Sequence, residues 1–145
     1  MKPVVTWIVL ANARSAKVLA HFGFSKGLVP VADQEWVAPK VPVAKDRAGL
    51  GHSIAGPGVA AMEQTDLKAV YDAKFAKTII AHIAKAQAEK RFDRLIVIAS
   101  PHMLGLLRSQ FTKPIRDVLV GEVSKDLLHQ PCNAVAHHLD ELIAV

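Results

Sequence analysis

Ser100, Pro101 and His102 stand in succession, and no other residues of this chain are better placed to do chemistry. Serine at a helix N-cap can accept an orphan backbone N–H, and proline at the first helical position loses no hydrogen bond. The triplet reads as a strand-to-helix joint, where free N–H groups and the positive end of a helix dipole favour an anion. His102, in that first turn, is a candidate anion ligand or proton donor. Three further pairs are read onto the same rim: Asn12 with Arg14, Lys125 with Asp126, and Asp46 with Arg47 from a long loop. Cations with few carboxylates suit holding an anionic group better than hydrolysing one.

Other chemistries fail on residue type or spacing. Two-metal hydrolysis needs carboxylates on the central strands, but the first strand has none and the fourth has only Asp93 ahead of it. The seven histidines include no zinc-ligand spacing. His137 and His138 are adjacent and would point about 100° apart on a helix. No nucleophile-elbow motif marks a serine. Gly51 to Gly56 has phosphate-loop spacing, but Pro57 replaces the lysine and no strand leads through it into a helix. Gly49-x-Gly51 lacks the flanking elements of a dinucleotide fold. Neither a metal nor a cofactor is expected.

The elements that position the rim follow from periodicity. Leu95 to Ala99 is a short apolar run, a strand buried on both faces, and Met103, Leu104, Leu107 and Phe111 then recur at helical spacing. Val4 to Ala11 is a first, central strand. Ala16 to Phe24, with Val18, Ala20 and Phe22 on one side, and Leu28 to Val37, interrupted by Pro30 and so at an edge, complete an antiparallel meander. Residues 38–65 are rich in Gly and Pro without periodicity, and are expected to be the least ordered part, a loop closing over the rim. Asp66 to Lys90 is a long helix capped by Thr65. Its buried stripe is Leu67, Val70, Tyr71, Phe75, Ile79, Ile83 and Ala86, with Lys68, Asp72, Lys85 and Glu89 toward water. Val118 to Val123 is a fifth strand, and a helix capped by Asn133 closes the chain with Val135, Leu139, Leu142 and Ile143 inward. This succession predicts a three-layer α/β domain over residues 1–145. Its five-stranded mixed sheet is ordered 3-2-1-4-5, the arrangement of ribonuclease-H-like folds.

Composition bounds the partners. The chain has 145 residues, is 51% hydrophobic and carries a formal net charge of +5, so a polyanion such as RNA is favoured without a basic run to demand it. One cysteine, Cys132, excludes an internal disulfide and fits a reducing compartment. The segment ending Ala11-Asn12-Ala13 imitates a signal-peptide cleavage site. Its β-branched residues and the following Arg14 and Lys17 favour a strand instead. No run approaches the roughly 18 apolar residues of a membrane span. The expectation is a soluble, cytoplasmic protein whose oligomeric state is open.

Three segments carry a family resemblance: Phe92 to Pro101, Leu104-Gly105-x-Leu107-Arg108, and Val120-Gly121-Glu122-Val123-x-Lys125-Asp126-Leu127. Together they resemble the bacterial host-attachment protein family. Asp46-Arg47-x-Gly49 is similar to the family's loop motif, and Ala11-Asn12-Ala13-Arg14 stands where the family usually reads Ala-Asp-Gly-x-Arg. Asn12 thus replaces an aspartate, and Leu50 an arginine. The resemblance implies kinship with the middle domain of archaeal and eukaryotic peptide-release factors, itself ribonuclease-H-like. The release-factor Gly-Gly-Gln is missing, so peptidyl-tRNA hydrolysis is not implied. The reading favoured is a non-enzymatic cytoplasmic protein binding RNA or the ribosome and translation machinery, with an anionic small molecule as another ligand class. The alternatives are an adaptor or surface-associated factor in host attachment, and a hydrolase of a small phosphoester or ester using His102.

Overall fold

The computed structural model describes residues 3–42 and 56–143, the side chains of 56–65 excepted. Five strands form one sheet: β1 (Thr6–Ala11), β2 (Ser15–His21), β3 (Val29–Val37), β4 (Arg94–Ala99) and β5 (Leu119–Ser124), in the order β3-β2-β1-β4-β5. The two hairpin pairings are antiparallel, whereas β1 with β4 and β4 with β5 are parallel. This is the mixed sheet that the run of apolar segments predicts. Pro30 lies in β3, an edge strand, the place in a sheet that tolerates a missing donor.

Period-two alternation in the central strands divides the core. Trp7, Val9, Ala11, Val18, Leu95, Val97 and Ala99 point to one face, where α1 (Gly56–Ala88), α2 (Pro101–Gln110) and α3 (Lys113–Val118) add Phe75, Ile79, Ile83, Met103, Leu107 and Ile115. Ile8, Leu10, Leu19, Ile96 and Ile98 point to the other, where α4 (Cys132–Leu139) supplies Val135 and Leu139. Helices therefore cover both faces. The apolar stretches of β1 and β4 follow from burial on two sides rather than one.

Several boundaries differ from the sequence expectation. α1 begins at Gly56, ten residues before Asp66, so Thr65 lies within the helix and does not cap it. Pro57 is compatible with this because a first-turn proline gives up an N–H that has no intrahelical partner. Gly56 thus opens a helix, although β3 ends far upstream at Val37. Residues 43–55 of the predicted loop lie outside the described residues. β2 stops at His21, leaving Phe22 exposed instead of inward, and Phe24 is 74% exposed. On α1, Val70 is exposed and Tyr71 only half-buried, whereas Asp72 is buried. α3 was absent from the sequence reading; Pro114 lies in its first turn and opens it. β5 is displaced by one residue, and Pro131 rather than Asn133 occupies the N-cap of α4. Leu142 is partly exposed, but it packs over Gly121 so closely that a Cβ there would lie 2.7 Å from Leu142 Cδ1.

Candidate functional site

The register places the carboxyl ends of three parallel strands side by side, Ala11 opposite Ala99 and Ala99 opposite Ser124. Ligands of open α/β sheets gather at such ends. Asn12 leaves β1 and turns at once. Its Oδ1 accepts the backbone N–H groups of Arg14 and Ser15 at 2.8 and 3.0 Å, and its own N–H donates to the Ser15 carbonyl. Asn12 Nδ2 donates to Asp126 Oδ2 at 3.1 Å, while Asp126 Oδ1 accepts the Leu128 N–H. Since β4 lies between β1 and β5, this bond ties together segments that leave strands about two spacings, roughly 10 Å, apart.

The Asn12–Asp126 bond couples two segments that wall a cleft of about 420 Å³, lined by Ser15, Lys17, Glu35, Trp36, Leu128 and His129 among others. Arg14 and Lys125 flank the bond in the sequence. Both are exposed, and neither forms an ion pair with a described residue. Elsewhere Arg91, Arg108 and Lys113 each meet an acid.

Ser100 and His102 open α2 at the end of β4, as expected, but two details differ. The Ser100 side chain makes no capping bond; its backbone N–H donates to the Ala11 carbonyl and its carbonyl accepts the Leu104 N–H. His102 turns away from the Asn12–Asp126 pair and toward α1, where its Nε2 lies 3.0 Å from Asp72 Oδ2. The same oxygen accepts Lys68 Nζ at 2.7 Å. The Asp72 side chain is 6% exposed, against 61% for His102 and 59% for Lys68. A buried carboxylate needs such donors to offset its lost hydration.

The predicted rim is therefore two clusters: Asn12, Arg14, Lys125 and Asp126 in one, and Ser100 with His102, joined by Lys68 and Asp72, in the other. Asp46 and Arg47 lie outside the described residues. Asp72 is the acid that the sequence reading turned to water. A signal for it existed, because Asp72 stands three and seven residues before Phe75 and Ile79, on the stripe they define. An acid on an apolar stripe is buried with a partner. Among the described residues no group of three or more His, Cys, Asp or Glu side chains could hold a metal.

His21 lies outside this edge. It is buried beside Arg94, at the amino ends of β1 and β4, and neither ring nitrogen makes a hydrogen bond of ordinary geometry. Desolvation, then the Arg94 charge, lowers its pKa, so the ring is held neutral.

The segments that build the edge fall within a longer likeness to known proteins. A stretch of 91 residues is 30% identical to an uncharacterized protein of Rickettsia prowazekii (strain Madrid E). The match covers 61% of this chain and 61% of that protein, so the chain spans under two thirds of that relative's length. A family described as "Protein required for attachment to host cells" matches residues 7–139, from β1 to the last residue of α4. With both core faces and both clusters inside that match, apart from Ile143 on the α4 face, the chain belongs to the host-attachment protein family.

Proposed function

We propose that this protein binds an anionic partner at the carboxyl edge of its sheet. The phosphates of RNA are the ligand class, and its contribution to host attachment is exerted through that binding. The observation that carries the reading is the pair of exposed cations, Arg14 and Lys125, bracketing the Asn12–Asp126 bond without an acid of their own among the described residues. Unpaired cations beside a fixed backbone turn offer phosphate oxygens charge-assisted hydrogen bonds with little reordering. The net charge of +5 favours approach of a polyanion. Kinship with release-factor middle domains, a ribonuclease-H-like ancestry and a cytoplasmic location belong to the same proposal. No helix of the described residues is long and apolar enough to cross a membrane.

Anisotropy of a short fluorescein-labelled single-stranded RNA, titrated at several salt concentrations, tests the reading. Affinity should fall linearly on logarithmic axes as salt rises. Arg14→Ala and Lys125→Ala should each weaken binding by about 1–3 kcal/mol and lower the salt slope by about one. Binding that ignores both salt and these substitutions would contradict it. The family description supports a second reading, an adaptor between protein partners in attachment, which predicts no salt-dependent RNA binding.

A further inference from the structure

Asp72 holds two donors, Lys68 and His102, on a single oxygen, and is itself nearly closed to solvent. The carboxylate therefore fixes the imidazole by Nε2 and leaves Nδ1 without a hydrogen bond to any described residue. An imidazole oriented by a carboxylate on one nitrogen and open on the other is equipped as a general base. The nearest hydroxyl in sequence, Ser100, makes no hydrogen bond to the ring. The cluster thus offers a base and a cation but no activated nucleophile of its own, so the nucleophile is water or arrives with the substrate.

RNA carries one beside every phosphodiester. We propose that the Lys68–Asp72–His102 cluster cleaves RNA by transphosphorylation, a proposal that rests on the reading of the edge as an RNA-binding surface. His102 Nδ1 takes the proton of a 2′-hydroxyl, and the 2′-oxygen attacks the adjacent phosphorus. The 2′-O–P bond forms as the P–O5′ bond breaks. The proton passes from His102 through water to the leaving 5′-oxygen, giving a 2′,3′-cyclic phosphate and a free 5′-hydroxyl. No electrons change hands and no water is consumed. The Lys68 ammonium, held on the same Asp72 oxygen, meets the charge that builds on the non-bridging phosphate oxygens. Asp72 is a positioning residue, since it acts through the imidazole.

The test incubates the full chain with end-labelled single-stranded RNA, and with DNA of the same sequence, in EDTA and low salt. Ends are identified by mass spectrometry. RNA should be cut to 2′,3′-cyclic phosphate ends while DNA stays intact. His102→Gln should lower the rate about 10²–10⁴-fold with an unchanged circular-dichroism melt, because the glutamine amide keeps a donor for Asp72. Added imidazole should restore part of the loss in His102→Ala, and Asp72→Asn should alter the pH profile of cleavage, effects that a mere helix-to-helix brace does not produce. RNA bound but uncut, or cut equally by His102→Gln, overturns this proposal and leaves the binding reading standing. RNA neither bound nor cut overturns both.

Discussion

The two ends of the sheet treat charge in opposite ways. At the amino ends of β1 and β4 the two arginines, Arg91 and Arg94, are both engaged by neighbouring side chains. Arg91 makes a two-pronged pair with Asp33 and lies 5.0 Å from the centroid of Trp7, while Arg94 donates to Thr6. Asp93 accepts the Val5 N–H, and Trp7 stacks on Phe92 with centroids 4.9 Å apart. The Arg91 hydrogen bond brings the Asp33 carboxyl down to about 2. At the carboxyl ends, Arg14 and Lys125 are exposed without an acid among the described residues, and Asp72, the one buried acid among them, serves exposed groups. One end is closed by its own side chains. The other leaves these two cations without a described acid, at the edge where sheets of this topology hold ligands.

Substitutions that separate stability from binding can break that contrast. Trp7→Ala has the largest expected effect, a loss of about 3–5 kcal/mol in urea unfolding, since it removes a buried ring with its stacking and cation contacts. RNA affinity, measured where the variant is folded, should not change. A smaller effect is read at His21. Its folded pKa lies below the usual 6.5, so the unfolded chain binds the extra proton. Stability should therefore be unaffected above that pH and fall as pH drops below it. His21→Leu should flatten this slope, as urea unfolding on either side of that pH would record. The Asp33 pair acts lower, since its contribution is kept above the usual carboxyl value of 3.8 and lost as pH falls toward 2. If Trp7→Ala also abolished RNA binding in its folded form, the division between the two ends would not hold.

The strand order was legible in the sequence because it rests on apolar runs. Leu95 to Ala99 and Val4 to Ala11 announce central strands, and Pro30 announces an edge. Asn12 and Asp126 were read onto one rim from topology alone, although their direct bond needed coordinates. What stayed hidden depended on helix phase and on residues with two meanings. Gly56, Pro57 and Gly58 mark loops as readily as helix starts, so the first ten residues of α1 were read as loop. Assigning Val70 and Tyr71 to the stripe rotated the predicted helix far enough to turn Asp72 outward. The partner of His102 was lost with it.

The central claim is that the carboxyl edge, and not the amino edge, meets the anionic partner. Chemical-shift perturbation of the isotope-labelled chain on adding short single-stranded RNA tests it directly, with each backbone amide reporting its own surroundings. Shifts should concentrate at 12–15, 100–103 and 124–129 and spare 5–7 and 91–94. Shifts centred on the Trp7, Arg91 and Arg94 end, or none at RNA concentrations that saturate binding, would contradict the account.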